Sequence, residues 1–323
     1  MAKRFLQRVP LACVGTCMLL VSCDEAPTQP TPPPPPPPPP GPTAQRSTGP
    51  LAFVSNRDGN DAIYLANEDG SNVTRLTTTS VNSHPAWAPD RRTLAFVRQP
   101  EVCVVNVDGS GLRSIWSQGR TWGPLDWSPD GSKIVFASFG SLDTGILVMN
   151  RDGSELTRLI DHESAGSGCS GDDCGVQSPT WSPDGQQIAF DAWGGYGGFG
   201  SLVITSVDGT QRRSLSASGY SPAWSPDGTK IAFTPAGETH AIGLVKVDGS
   251  GRPVFLQVSA EGLAFPHDPR WAPDGSIVFS ATNGAGRRRV FIATETGSAR
   301  QLIPEATAPT NPGYYDCCAV WAR

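Results

Sequence analysis

Polar side chains recur a few residues before the tryptophan of an internal repeat, and these are the residues best suited to chemistry. They are His84, Ser178, Ser221, His267, Asp268, Asp316 and Cys318. Imidazole nitrogens and carboxylate oxygens are common ligands of divalent metal ions. Two histidines with two aspartates would form a metal site if the fold brought them together. Spacing along the chain does not fix distances in space. A polar rim around the mouth of a channel, without a metal, therefore explains the same residues.

A second candidate site is aromatic. Residues 191–200 read DAWGGYGGFG, which places Trp193, Tyr196 and Phe199 between glycines, and Trp122 lies in another segment outside the repeat. We expect both segments to be loops, where binding residues are common. Such aromatic rings can stack on sugars or contact a protein. The alternative is a loop that folds over its own part of the repeat.

Composition and motifs exclude several classes of function. The net charge is −5, so the chain lacks the basic surface of a nucleic-acid-binding protein. The sequence contains no G-x-S-x-G elbow, no H-E-x-x-H motif and no phosphate-binding loop. With 36 glycines and 31 prolines, it suits a sheet-rich protein with many turns rather than a helical bundle.

The elements that must position these residues belong to a repeat that fills residues 50–323. Trp-Ala-Pro-Asp or Trp-Ser-Pro-Asp begins at Trp87, Trp127, Trp181, Trp224 and Trp271, and a truncated copy begins at Trp321. A triplet such as Leu-Ala-Phe or Ile-Val-Phe follows each complete copy, and then a strand-like run ends in a turn such as Asp-Gly-Ser. Each unit has about 46 residues and four short strands, as a propeller blade does. The aspartates are explained as turn formers and the tryptophans as packing between blades.

The two ends of the repeat are complementary. The chain enters at a second strand, 51–55, and finishes with a first strand at about 317–322. Pairing these strands would complete a sixth blade and remove an exposed sheet edge. The sequence therefore predicts an all-β, six-bladed propeller of four-stranded blades. In one turn Arg91 replaces the glycine, at a cost of about 1–2 kcal/mol if it is left-handed.

The repeated Trp-Ser-Pro-Asp-Gly, Ile-Ala-Phe and Asp-Gly-Ser motifs resemble those of the TolB-type six-bladed propellers. The resemblance covers residues 50–323 and implies the fold strongly and the activity weakly, because propellers host many functions. TolB itself has an α/β domain before its propeller, whereas this chain has a proline-rich segment there. Pectin-fragment lyases use a similar propeller with a metal among histidines, so the resemblance leaves open a metal-dependent lyase or hydrolase acting on sugar acids.

The first 49 residues predict export and anchoring. Residues 1–22 have a basic start and a short apolar run, as a signal peptide does, and the run is shorter than a membrane span. Leu20-Val21-Ser22-Cys23 resembles the lipobox of bacterial lipoproteins, which implies that Cys23 carries lipid. Residues 23–49 include nine consecutive prolines, Pro32 to Pro40. At ~3.1 Å per residue, this tether would reach about 80 Å.

The remaining cysteines would lie in an oxidising compartment after export. Cys169 and Cys174 are predicted to form a local disulfide, with a zinc site that includes His162 as the alternative. Cys317 and Cys318 either form a vicinal disulfide or stay reduced, and Cys103 is expected in a buried strand.

From these observations we expect a monomeric, non-catalytic binding or scaffold lipoprotein without a cofactor. It would face the periplasm or the exterior from the inner or the outer membrane, and engage an envelope protein or glycan. The binding face would be the side opposite the Pro-Asp-Gly turns, where the longer loops lie. The competing class is the sugar-acid enzyme, with His84, His267 and neighbouring acids as metal ligands.

Overall fold

The β-strands of the structure occur at the positions of the repeated sequence motifs. A computed structural model describes residues 51–78, 81–121, 123–139, 144–161, 174–194, 200–238, 240–258, 263–306, 309, 311 and 313–322, all within the unit Ala44–Arg323. Every regular element in these residues is a β-strand. None of them forms a helix of the length and apolar character that a bilayer crossing requires. Cys23, Trp122, Cys169, Tyr196 and Phe199 lie outside the described residues.

The strands are short and numbered in chain order. The first twelve are β1 (Leu51–Ser55), β2 (Ala62–Ala66), β3 (Thr74–Arg75), β4 (Asn82–Trp87), β5 (Thr93–Arg98), β6 (Glu101–Asn106), β7 (Arg113–Trp116), β8 (Arg120–Thr121), β9 (Asp126–Trp127), β10 (Lys133–Phe139), β11 (Gly145–Asn150) and β12 (Thr157–Asp161). The others are β13 (Cys174–Trp181), β14 (Gln187–Gly194), β15 (Ser201–Ser206), β16 (Arg212–Trp224), β17 (Lys230–Pro235), β18 (Ala241–Lys246), β19 (Val254–Gln257), β20 (Ala264–Trp271), β21 (Ile277–Thr282), β22 (Arg288–Ala293), β23 (Ala299–Gln301) and β24 (Asp316–Trp321).

Hydrogen bonds join these strands into antiparallel sheets. The orders are β24-β1-β2-β3, β4-β5-β6-β7, β12-β11-β10 with β8 and β9 both paired to β10, β13 through β19 in sequence, and β20-β21-β22-β23. The first order confirms the predicted pairing of the chain ends, with Leu51 opposite Trp321 and Ser55 opposite Asp316.

The prediction of separate four-stranded sheets is wrong at two places. The sheet around β10 has five strands, because β8 and β9 both pair with β10, and β13 to β19 form a single seven-stranded sheet. Its middle strand β16 has 13 residues; the first part pairs with β15 and the second part pairs with β17. Residues 213–218 contain neither proline nor glycine, so nothing in the sequence stops the strand between two units. Gly219 permits a close approach to the next strand, since a Cβ there would lie 2.3 Å from the Thr234 carbonyl oxygen.

The core consists of apolar clusters between successive strand sets. Six clusters of buried side chains are present in the described residues, and each combines strands from two neighbouring units. The cluster around Leu51 and Phe53 includes Val278, and the one around Ala52 and Val54 includes Phe96, so the first and last units are packed like the others. The repeated tryptophans are 2–8% exposed, which confirms their predicted role in packing.

The tight turns also confirm the sequence analysis. The Oδ1 atoms of Asp90, Asp130, Asp184, Asp227 and Asp274 each accept a hydrogen bond from the backbone N–H two residues on. Arg91 is left-handed, with φ 54°, where the other turns have glycine.

Replacing Arg91 by glycine is therefore expected to stabilise the protein. Glycine removes the left-handed strain but adds entropy to the unfolded chain, so the expected gain is about 0.5–1 kcal/mol, or ~1–3 °C in Tm. Thermal unfolding monitored by circular dichroism measures it. The matched control is Gly131→Ala, at φ 69°, where the added Cβ would contact only the Pro89 ring, with Cδ at 3.4 Å. It should lose about 1 kcal/mol, and equal Tm values for all three proteins would contradict the strain argument.

Candidate functional site

A repeated kink in the first strand of the units creates the candidate site. The residue three positions before the repeated tryptophan is left-handed in five units: His84 (φ 48°), Ser178 (53°), Ser221 (52°), Asp268 (52°) and Cys318 (57°). Pro124 occupies this position in the remaining unit, and the preceding Gly123 has φ 84° there. Strand pairing is interrupted around all five of these residues, as it is at β-bulges. Left-handed residues other than glycine persist where the surroundings hold them, often at functional sites.

These bulges are tied to the preceding unit by hydrogen bonds. Three backbone N–H groups donate to side chains on a neighbouring second strand: Ser221 to Asp191 Oδ1 at 3.1 Å, Asp268 to Thr234 Oγ1 at 3.1 Å, and Cys318 to Ser280 Oγ at 2.9 Å. Each acceptor follows the phenylalanine of the repeated triplet. Sequence reasoning missed these residues, although a polar residue after an apolar triplet is a visible signal.

The bulges lie toward one end of the first strands. Each first strand enters its Pro-Asp-Gly turn just after the tryptophan, so a residue three positions earlier lies toward the opposite end. The connections from second to third strands emerge at that end as well. One of them is shorter than expected, because only Gln99 and Pro100 separate β5 from β6.

The structure places His84, Asp268 and Cys318 close together. With Arg270 and neighbouring residues they line a crevice of about 10 Å³, which has room for about one water molecule. Nδ1 of His84 is buried and has no hydrogen-bond partner in the described residues. Burial lowers the pKa of His84; Asp268 opposes this effect and Arg270 adds to it. The imidazole is therefore neutral at pH 7.

Asp268 is the charged centre of this group. Its Oδ1 accepts a hydrogen bond of 2.7 Å from the Ser221 hydroxyl, and its Oδ2 lies 4.0 Å from His267 Nε2. Burial alone would raise the pKa of Asp268, but His267, His84 and the Ser221 hydrogen bond outweigh it and lower the pKa. The carboxylate is thus ionised beside a neutral His84. His267 Nδ1 lies 2.9 Å from the Phe265 carbonyl oxygen, which fits an Nδ1–H donor.

Phe265 is a residue that sequence reasoning missed. Its side chain is 60% exposed and its backbone is left-handed, with φ 53°. Val81, immediately before the corresponding strand of another unit, is 54% exposed. Exposed aromatic residues beside polar groups are common anchors in protein interfaces. We call His84, Phe265, His267, Asp268 and Cys318 the mouth cluster.

Asp316 does not join the mouth cluster, contrary to expectation. Its side chain is fully buried, with Oδ1 2.7 Å from an Arg57 nitrogen and Oδ2 3.9 Å from Arg289 Nε. Arg57 lies over the rings of Phe53, Tyr64 and Tyr314. Asp316 therefore belongs to an ion network at the closure between β24 and β1.

The aromatic segment also differs from expectation. Trp193 lies in strand β14 rather than in a loop, paired with Gly175 of β13. A Cβ on Gly175 would lie 2.4 Å from the indole ring, so the ring packs against the glycine backbone of its own sheet. The alternative in which this segment covers its own unit holds for Trp193.

Three of the described cysteines are not in disulfides. Cys103, Cys317 and Cys318 are free thiols, and Cys103 is fully buried in β6 as expected. The Sγ atoms of Cys317 and Cys318 lie 2.8 Å apart. Cys174 begins strand β13, and its predicted partner Cys169 lies outside the described residues.

A metal site is one hypothesis for the mouth cluster. No group of three or more histidine, cysteine, aspartate or glutamate side chains is placed to hold a metal ion in the part of the chain that the structure describes. At its surface the cluster presents the ionised and partly exposed carboxylate of Asp268 and the exposed ring of Phe265, above the neutral imidazole of His84, whose Nδ1 is buried. A carboxylate beside an aromatic ring suits the recognition of a protein surface that has both polar and apolar groups.

Comparisons with known proteins agree with this architecture. A family model described as the TolB beta propeller domain matches residues 97–314. An uncharacterised protein of Agrobacterium fabrum is 32% identical over 154 residues, which are 43% of this chain and 50% of that protein. A protein TolB homolog of Chlorobium luteolum is 30% identical over 146 residues, 43% of this chain and 30% of that protein. The chain thus spans half or less of these curated relatives.

Solved structures resemble the fold as well. The crystal structure of TolB from Acinetobacter baumannii matches with a TM-score of 0.67 and 20% identity, covering 84% of this chain and 66% of that one. At this identity the likeness establishes an all-β propeller.

Proposed function

Since the chain belongs to the TolB beta propeller family, we propose that it is a non-catalytic binding protein of the bacterial envelope, which engages an envelope protein through the mouth cluster. The observation that carries this proposal is the pairing of a built polar group with an exposed aromatic residue. The Asp268 side chain is held by Ser221 and is 25% exposed, and His84, with its buried Nδ1, lies in the same crevice. Phe265 is exposed three residues from Asp268.

Rigidity supports the proposal. The hydrogen bonds from bulge residues to the preceding units fix the backbone beneath these side chains. A preorganised surface loses little conformational entropy on binding. An envelope glycan is the other ligand class that the sequence suggests, and it becomes an outcome of the test below.

The sugar-acid enzyme is the weaker candidate. The crevice that His84 and Asp268 share has room for about one water molecule, so a sugar acid would have to lie outside it. His267 directs Nδ1 to a backbone carbonyl, and its Nε2 faces Asp268 at 4.0 Å.

We also propose six blades. Support comes from the 13-residue strand β16, whose two parts pair with different neighbours, so that the seven-stranded sheet represents two blades that share one continuous strand. Six interunit clusters of buried residues agree with that count. A crystal structure checks it.

Export and anchoring complete the proposal. Residues 1–22 would be removed, Cys23 would carry lipid, and residues 23–49 would hold a monomeric propeller away from an envelope membrane. Mass spectrometry of the mature N-terminus tests this: a lipid-modified Cys23 is expected, and an intact 1–22 segment would contradict it.

A photo-crosslinking experiment tests the binding proposal. A benzoylphenylalanine at position 265 should form adducts with one or a few envelope proteins in intact bacteria. The matched control is the same replacement of Phe255, which is 44% exposed on the fourth strand of its unit. Once a partner is identified, Phe265→Ala should weaken its binding at least about tenfold, while Phe255→Ala should not. Identical adducts from both positions, or adducts with glycan alone, would contradict the proposal.

A further inference from the structure

The face that carries the Pro-Asp-Gly turns lies opposite the mouth cluster. It contains a larger cavity than the crevice that His84 and Asp268 share. This cavity of about 410 Å³ is lined by four tryptophans, five prolines and one aspartate: Trp87, Trp127, Trp224, Trp271, Pro89, Pro129, Pro183, Pro226, Pro273 and Asp126. The prolines are those of the repeated turns, and none of them is fully buried. We call it the turn-face pocket. It takes no part in the proposed function at the mouth.

Ionised carboxylates surround the turn-face pocket. The aspartate that follows each lining proline is exposed, and the pKa of all five is lowered. For Asp130 and Asp184 the largest cause is the hydrogen bond from Ser128 or Ser182. The rim is therefore negatively charged at neutral pH around a floor that is apolar except for Asp126.

One of these carboxylates is already neutralised by an arginine of the chain itself. Arg151 places a guanidinium nitrogen 3.4 Å from Asp90 Oδ2, and its guanidinium carbon lies 5.8 Å from the Trp127 ring centre. An arginine on this face thus binds an aspartate and a tryptophan ring together, a combination of ion pair and cation–π contact.

The next two units lack that arginine. Arg151 precedes the Asp-Gly of its second turn, and the equivalent positions hold Val207 and Val247. In the described chain no lysine or arginine nitrogen lies within salt-bridge distance of Asp130 or Asp184. Two equivalent carboxylates beside the pocket therefore stand without the cation that Asp90 has.

We propose that the turn-face pocket binds an extended peptide segment with a proline or leucine anchor flanked by arginines. Proline and leucine side chains fit a floor of tryptophan and proline rings, as in the recognition of proline-rich peptides by aromatic grooves. The flanking guanidinium groups pair with Asp130 and Asp184 as Arg151 pairs with Asp90. Charge complementarity selects this occupant over an acidic or neutral one.

The probe is the peptide acetyl-Arg-Pro-Leu-Pro-Arg-amide, titrated into the full chain at low ionic strength. Fluorescence of the lining tryptophans reports binding. The matched peptide has citrulline in place of both arginines, which keeps the shape and removes the charge. We expect at least tenfold weaker binding of the citrulline peptide, and weaker binding of the arginine peptide at 1 M salt.

Two kinds of variant test the site. Asp130→Asn with Asp184→Asn keeps the oxygen that each turn needs and should weaken binding about tenfold. The control, Asp152→Asn with Asp208→Asn, makes the same charge change in second turns and should change binding less than twofold. Val207→Arg should also weaken binding, because it supplies an internal cation at the position equivalent to Arg151.

Several results would overturn the proposal. These are absence of binding, equal binding of the citrulline peptide, and equal effects of the two aspartate pairs. Sedimentation of the parent and of the Asp130/Asp184 variant tests for self-association. Self-association of the parent that the variant loses would mean that this face binds a second copy of the chain instead of a peptide. Both aspartate pairs should lower the melting temperature by similar small amounts, because each of the four carboxylates accepts a hydrogen bond from its own turn. A difference in binding between the two pairs is therefore not an effect of unfolding.

Discussion

Asp316→Ala is expected to lower the free energy of unfolding by about 3–5 kcal/mol, which is the usual cost of leaving a buried charge without its partner. Asp316 is fully buried and accepts a 2.7 Å hydrogen bond from Arg57, and the fully buried side chain of Arg289 lies 3.9 Å away. The variant would leave two cations with less neutralising charge at the junction of β1 and β24. Urea unfolding followed by tryptophan fluorescence measures the loss.

A partly exposed ion pair provides the control. Arg98 and Glu101 are 2.6 Å apart with side chains 24% and 29% exposed, so Glu101→Ala should cost no more than about 1 kcal/mol. Hydrogen exchange should also quicken in β1 after the Asp316 change, because the closure would open more often. A loss for Asp316→Ala no larger than that for Glu101→Ala would show that the network does not hold the ends together.

Much of the fold was predictable because the same turn and strand motifs recur several times along the chain. The turns, the second strands and the pairing of 51–55 with the C-terminal strand all follow from motifs at constant spacing. Even the exception at Arg91 was visible as a missing glycine. These features depend on local chemistry, in which a proline, an aspartate or a glycine has one structural role.

The candidate site was less predictable because its geometry comes from strained backbone rather than from residue type. His84, Ser178, Ser221, Asp268 and Cys318 are left-handed at one repeat position, but none of them is the glycine that would announce such a conformation. The order of the strands alone placed this repeat position at the rim. It did not predict the β-bulge there.

Two other differences have similar physical causes. Asp316 has the composition of a rim residue, but two arginines from distant positions draw it into a buried network. Trp193 has glycine neighbours that indicate a loop, whereas Gly175 on the adjacent strand accepts its ring and extends the sheet. The residues that determine these two positions could not be recognised from the sequence. Arg57 and Arg289 are distant from Asp316 along the chain, and Gly175 has no side chain that would indicate a contact with Trp193.

The second large effect concerns pH. Burial raises the pKa of Asp191 to about 7, although hydrogen bonds from Ser178, Ser221 and Gln177 oppose the shift. Below about pH 4 the carboxyl is protonated in both folded and unfolded chains. Between pH 4 and 7 only the unfolded chain is ionised, so folding stability falls as the pH rises. At 1.36 kcal/mol per pH unit the loss reaches about 4 kcal/mol above pH 7.

Asp191→Asn removes this titration while keeping an oxygen to accept the Ser221 N–H hydrogen bond. The variant should match the parent protein at pH 4, where Asp191 is neutral, and should become more stable by up to about 4 kcal/mol at pH 8. Urea unfolding at pH 4, 6 and 8 measures the difference. Asp227→Asn is the control with the opposite sign, because hydrogen bonds from Ser225 and Thr229 lower the pKa of Asp227. That control should lose stability at neutral pH with no further change between pH 6 and 8. A constant difference between Asp191→Asn and the parent across this range would mean that Asp191 stays ionised in the folded chain, and that its bond to the Ser221 bulge is a charged one.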